Sequence, residues 1–179
     1  MQINLNKLRA VRKMIAKQDV RYYLNGVCIG RGHLVATNGH YLIKAADPGA
    51  DLDGEIIVPN DALDVVIKKL KAREFKALGE VELIQCGTLW EFRVGGMLLK
   101  QFTPIVAKFP DWQRVMPPAG GAEEMAQFNW SYLALFDDAH HELGARVGGV
   151  ILHPRGTSAA LIEFPGYEDV TGVCMPMRK

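Results

Sequence analysis

Long apolar runs are missing from this chain of 179 residues: nowhere do about 18 apolar residues follow one another, the length a membrane-spanning helix needs. The N-terminus, MQINLNKLRAVRK, holds no apolar stretch ahead of a small-residue cleavage site, so no secretory leader is expected and a cytoplasmic location is. Cysteine is scarce. Cys28, Cys86 and Cys174 stand far apart, each in an apolar stretch, with no C-x-x-C pair and no histidine at metal-ligand spacing, which excludes a disulfide framework and a zinc knuckle and predicts buried, reduced thiols. Charge of one sign is lacking too. Lys and Arg number 21 against 20 Asp and Glu, a net charge of +1, so any attraction to nucleic acid must come from uneven placement. Catalytic signatures are equally absent: no P-loop, no G-x-S-x-G, no H-E-x-x-H and no dinucleotide fingerprint. His140 and His141 are helix neighbours that point in different directions, and His40 in TNGH reads as a turn residue. We therefore expect no enzyme, no cofactor and no metal. What is present is a core: 49% apolar and 23% charged residues exclude disorder as a global description.

The hydrophobic pattern states one structural phrase three times, a short strand, an amphipathic helix and three strands. The first copy has a strand at Gln2 to Leu5 and a helix over about 5 to 17 with the stripe Leu8, Val11 and Ile15. Strands at Arg21 to Ile29, Leu34 to Asn38 and Tyr41 to Ala46 complete it. The second has a strand at Glu55 to Pro59, a helix capped by Asn60 or Asp61 with the stripe Leu63, Val66, Ile67 and Leu70, and strands at Val81 to Cys86, Leu89 to Val94 and Met97 to Pro104. Gly87 and Gly95-Gly96 mark its hairpin turns. The Pro/Gly-dense PPAGGA at 117 to 122 interrupts pairing and reads as a linker. The third copy has a strand at Met125 to Asn129, a helix with the stripe Tyr132, Leu135, Phe136, Ala139 and Leu143, and strands near Ala145 to His153, Ala159 to Phe164 and Val170 to Met177. The expected fold class is α+β, three βαβββ repeats with helices packed on antiparallel sheets. A complete two-repeat domain would occupy 1–117, a linker 118–124 and a half domain 125–179. One unit cannot bury its helix stripe and its sheet face alone, so an odd copy number predicts oligomerisation or an exposed apolar surface.

Charge is placed unevenly among the copies. The first helix segment carries Lys7, Arg9, Arg12, Lys13 and Lys17 and no acidic residue, with Arg9, Lys13 and Lys17 at i, i+4 spacing. The second carries Lys68, Lys69, Lys71 and Arg73 opposite its apolar stripe. Repetition of the pattern favours a phosphate-facing surface over a merely solvated one. The third helix departs from it with Asp137, Asp138 and Glu142.

At QDVRYYLNG, VATNGHYL, FPDWQRVMP and the terminal CMPMRK, the chain resembles the bacterial sliding clamp, the beta subunit of DNA polymerase III. Residues 1 to about 117 resemble the clamp's complete middle domain, and 125 to 179 only the second half of its third. The resemblance implies the DNA-clamp fold and a non-enzymatic role in the bacterial cytoplasm: a ring around double-stranded DNA, helices lining the hole, that tethers a polymerase. It also implies a peptide pocket where the middle and third domains meet. Carried over by position, that pocket is Leu24, Thr37, Gly39, His40, Leu42, Pro117, Asn129, Tyr132, Val173, Met175, Pro176, Met177 and Arg178. Departures are Tyr41 where the family has a basic residue, Cys174 in place of Val, and the terminal lysine. For DNA the matching segment implies Gln18, Arg21, Tyr22 and Tyr23, arginine supplying charge and tyrosine a stacking face. By alternation along a strand, at least one of these tyrosines would instead be buried structure.

Two functions follow. The first is a small homo-oligomeric clamp of phage, prophage or plasmid type. The family's ring has about twelve such units and this chain three, so a tetramer closes the count, the third units meeting across a two-fold axis. Its partners would be double-stranded DNA, polymerases and other proteins with clamp-binding motifs, and a clamp loader. The second is a non-encircling protein whose pocket captures clamp-binding motifs in competition with the host clamp.

Overall fold

A computed structural model describes residues 1–70, 78–118 and 126–177. Among them the order is β1 (Gln2–Asn4), α1 (Leu5–Arg12), β2 (Gly26–Gly30), β3 (His33–Thr37), β4 (Tyr41–Ala46), β5 (Ile56–Pro59), α2 (Asn60–Lys69), β6 (Glu80–Cys86), β7 (Leu89–Val94), β8 (Met97–Phe102), α3 (Trp130–Leu143), β9 (Ile151–Arg155), β10 (Ser158–Glu163) and β11 (Val170–Cys174). The class is α+β, as read from periodicity. The predicted residues Lys71, Arg73 and Arg178, nearly all of the linker, and Met125 lie outside the described residues.

The first two units interlock by exchanging their opening strands. β1, from the first, pairs antiparallel with β6 of the second, and β5, from the second, pairs with β2 of the first. The exchange is reciprocal at each helix start: Leu5 N–H donates to the Gly79 carbonyl (2.8 Å) and Asn60 N–H to the Asn25 carbonyl (3.0 Å). One sheet is thus β1-β6-β7-β8. The other is continuous through the third unit, β5-β2-β3-β4-β11-β10-β9, because β4 and β11 pair along Tyr41↔Cys174 to Ala45↔Val170. The helices lie on the inner side of these sheets in one core. It contains Leu8, Val11, Ile15, Leu63, Val66, Ile67, Leu70, Phe136, Ala139 and Leu143 of the three expected stripes, while Tyr132 and Leu135 of the third are only partly buried against it.

That arrangement corrects one expectation. The third unit's apolar stripe is not left bare, since its sheet extends the first unit's sheet and α3 packs against α1. The acidic residues of α3 have a physical reason here: Asp138 and Glu142 face Lys13 at 3.7 and 3.4 Å.

Local chemistry explains the other departures. The first helix stops at Arg12 rather than near 17. Lys13, Met14 and Ile15 donate to carbonyls three residues back, tightening the chain so that Met14, Ile15 and Ala16 turn into the core. Arg21 to Leu24 is not strand: Tyr22–Leu24 form a 3₁₀ turn, and β2 begins only at Gly26. Side chains compete with the ladder there, as the Asp19 Oδ1 accepts from Arg21 N–H (2.8 Å) and the Asn25 Oδ1 from Asp19 N–H (3.0 Å). Of the two expected caps of α2, Asp61 accepts within the first turn, from Ala62 N–H (2.9 Å), and Asn60 does not. Pro59 occupies the cap position, and Asn60 Oδ1 accepts instead from Arg12 Nε at 3.1 Å. Residues 126–129 form no strand, although Gln127 accepts a bond from Met177 N–H (2.7 Å). The last strands are shorter than expected, β9 starting at Ile151 and β11 ending at Cys174.

The outer face of the long sheet has its own cover. Cys28, Val35, Leu42 and Val173 point away from the helices and form a second apolar cluster with Ile57 and Phe109, flanked by Trp112 and Met116. The segment 105–116 therefore folds back across the sheet, anchored by Ile105 N–H on the Ile57 carbonyl (2.9 Å). Burial pushes the Cys28 thiol up to about 12 and the Cys174 thiol up to about 11, whereas Cys86, expected to be buried with them, is exposed at the end of β6. Since the thiolate is the reactive form, native alkylation at pH 8 should add one adduct, on Cys86, and unfolding should release the other two. Peptide mass mapping reads the sites.

Candidate functional site

Where the segment 110–115 crosses the β4–β11 join, the outer face opens into a groove of about 300 Å³. Its floor and walls are Tyr23, Leu24, Thr37, Leu42, Val173 and Met175 on one side and Pro110, Trp112 and Val115 on the other, with Arg21, Gly39, His40, Tyr41 and Asp111 completing the lining. On the far side of Trp112, which lies 5.5 Å from the His33 ring, a second depression of about 460 Å³ is lined by charged groups including Arg31, Glu55 and Lys108.

The turn between β3 and β4 fixes the groove's rim. Asn38 Oδ1 accepts from the N–H groups of His40 (2.9 Å) and Tyr41 (3.1 Å), while Thr37 Oγ1 accepts from Gly39 N–H (3.0 Å) and donates to the Tyr41 carbonyl (2.7 Å). Gly39 is in the left-handed region, φ +91°, and a Cβ there would stand 2.8 Å from Arg21 Nη1. Arg21 bridges the rim: its guanidinium donates to both Asp19 carboxylate oxygens (3.0 and 2.7 Å) and to the Asn38 carbonyl (3.0 Å). Those bonds hold the Asp19 carboxyl down at about 2. From the third unit, Met175 N–H donates to the His40 carbonyl (2.9 Å), and the Tyr132 ring stacks on His40 (5.9 Å) and meets Tyr41 edge-on (5.0 Å). Burial, and secondarily Tyr132, raises the Tyr41 phenol above its ordinary value.

Seven predicted pocket residues converge here: Leu24, Thr37, Gly39, His40, Leu42, Val173 and Met175. Tyr132 borders the groove through its ring contacts. Asn129 instead caps α3 by accepting from Ser131 N–H (2.9 Å), and Pro117, Pro176 and Met177 lie outside the lining. Pro110, Asp111, Trp112 and Val115 were not expected in it, although FPDWQRVMP was conspicuous as a motif. Arg21 and Tyr23, expected at DNA, line the groove as well.

The helical face carries less spare charge than the sequence count implied. Arg12 pairs with Asp64 and with the Asn60 side chain, Lys13 with Asp138 and Glu142, and Arg9 Nη2 donates to the Leu70 carbonyl (3.3 Å). These cations tie the three helices together. Lys69 Nζ donates to the Leu99 carbonyl (2.6 Å), while Lys17, Gln18, Lys68 and Tyr22 are exposed, Tyr22 at 56%.

In overall shape, all of this chain superposes on the Caulobacter crescentus beta sliding clamp (TM-score 0.77, 20% identity, 65% of that chain covered). It superposes equally on the DNA polymerase sliding clamp of Pseudomonas aeruginosa (0.76, 22%, 66%). The chain has the bacterial sliding-clamp fold. In sequence, an alignment 119 positions long covers 59% of the chain at 33% identity to the Pseudomonas aeruginosa beta sliding clamp. That alignment spans 29% of the clamp's length. No protein-family model matches the sequence. The resemblance read from the four motifs thus holds in both sequence and architecture.

Proposed function

We propose that this protein is a small, non-enzymatic DNA sliding clamp whose groove receives the clamp-binding motifs of a polymerase. The observation that carries the reading is the groove itself. A shallow, mostly apolar trough built across the β4–β11 join, rimmed by His40 and Arg21, suits a short extended peptide with apolar side chains. Met175 adds an adaptable surface. The three-unit chain supplies part of a ring, and four copies, a tetramer, close it around duplex DNA, with a loader as a further partner. Such a ring holds DNA by topology, so phosphate contacts need only be weak and salt-sensitive.

One observation favours the second reading, a protein that captures clamp-binding motifs without encircling DNA. Arg12 and Lys13 are engaged in ion pairs within the chain, which leaves the helical face less positive while the groove is intact.

Lys17 and Lys68 separate the two readings, because both are exposed. Under the clamp reading, Lys17→Glu with Lys68→Glu lowers the slope of log affinity for DNA against log salt by about 2. Affinity for a clamp-binding peptide stays unchanged. Identical DNA binding by the variant would take both lysines out of the DNA contact and count against the clamp reading.

A further inference from the structure

The internal exchange between the first two units has no counterpart in the third. In the complete pair, the residues before each helix form a strand on the other unit: Gln2-Ile3-Asn4 lies on β6, and Ile56 to Pro59 on β2. The first helical residue then donates across the pair, from Leu5 to Gly79 and from Asn60 to Asn25, in both cases to the residue just before the receiving strand. Leu5 is wholly buried by this arrangement.

Before α3 stands the same phrase, Gln127-Phe128-Asn129, followed by Trp130. Asn4 and Asn129 both cap their helices by side-chain oxygen, and Ile3 and Phe128 are both buried. Yet 127–129 make no ladder, Trp130 is 82% exposed, and among the described residues its N–H makes no counterpart bond. The receiving strand is also bare, since β9 ends the seven-stranded sheet with one edge unpaired. Beside it, Val147 is 82% and Ile151 48% exposed. An open edge flanked by apolar side chains is a template for another strand. Pro154 closes the far end of that edge, leaving Ile151 to His153, a length that matches a three-residue strand.

We propose that the occupant is a second copy of this chain, joined by reciprocal strand exchange. Residues 127–129 of each copy add antiparallel to β9 of the other, and Trp130 N–H donates to a carbonyl within Gly148 to Val150 of the second copy. Trp130 is then buried against the segment holding Val147 and Ile151. The occupant follows from the molecule's own symmetry. The unit needs one strand and offers one of the same kind, so an identical unit across a two-fold axis satisfies both, as the first two units do for each other. This joint rests on the oligomeric part of the reading above and does not require DNA.

Sedimentation equilibrium of the full chain at micromolar concentration, without DNA, tests it. The wild type should sediment at an even multiple of 19.8 kDa. Trp130→Glu and Ile151→Pro should each halve that mass, with far-ultraviolet circular dichroism unchanged. Because Trp130 is exposed within one chain, its substitution leaves the subunit's own core untouched and remains informative if Ile151→Pro fails to fold. A wild-type monomer would overturn the joint, as would an assembly whose mass neither variant alters, which would point to another sheet edge such as β8, where Met97 and Leu98 are exposed. An assembly that halves as expected, yet leaves circular and linear DNA at equal rates, supports the joint and removes the clamp.

Discussion

Phe136→Ala should lower the unfolding free energy by about 3–5 kcal/mol, seen as a large fall in the urea midpoint. The ring is fully buried at the place where the third unit meets the first, 6.4 Å from the Tyr41 ring and 6.2 Å from the Phe164 ring. It lies over Gly172 in β11, where a Cβ would come within 2.6 Å of Phe136 Cε1 and 2.9 Å of Ile162 Cβ. Truncation leaves a cavity between a helix and a flat strand, neither of which can collapse to fill it. Gly172→Ala should destabilise by the opposite route, overpacking the same spot at a cost of about 1–3 kcal/mol. A chain in which both changes were neutral would not have α3 seated on β11.

Met175→Lys should weaken binding of a short apolar clamp-binding peptide roughly a hundredfold, a loss of about 2–3 kcal/mol, with thermal stability unchanged. Met175 is half-buried in the groove lining, so an ammonium there remains solvated in the free protein and loses that solvation only when a peptide covers it. Trp112, on the opposite wall, supplies the fluorescence signal for the titration. Equal affinity of the wild type and the variant would place the peptide elsewhere.

Periodicity made the helices and hairpins legible because it reports which face of an element is covered. Leu63, Val66 and Ile67, spaced three and four apart, are indeed the buried side of α2, and Gly87 and Gly95-Gly96 do carry positive φ in the turns of a meander. Boundaries were hidden wherever side chains bond to backbone. Asp19 and Asn25 convert an expected strand into a 3₁₀ turn, and the residues after Arg12 leave the helix to bury Met14 and Ile15. Charge misled for a related reason. Arg12 and Lys13 look like a solvated or phosphate-facing stripe, but their partners, Asp64, Asp138 and Glu142, lie on other helices, and no local pattern pairs them.

The groove was legible only through the resemblance, because its floor joins residues more than a hundred positions apart. The β4–β11 pairing that unites Leu42 and Val173 has no signature in either strand alone. The missing wall was within reach: the FPDW of the third motif is what brings Pro110, Asp111 and Trp112 over the outer sheet. Phe109, buried at 4% exposure, is the anchor of that crossing, and an aromatic residue flanked by Pro104 and Pro110 is a marker for such a fold-back.

The clamp reading depends on topology, and topology can be measured directly. The protein, assembled on nicked circular duplex DNA, is separated from free protein by gel filtration at high salt, before and after the circle is cut once. Retention on the intact circle and loss on cutting is the expected result. Equal loss from both forms, with the peptide groove still active, would contradict encirclement and leave capture of clamp-binding motifs as the function.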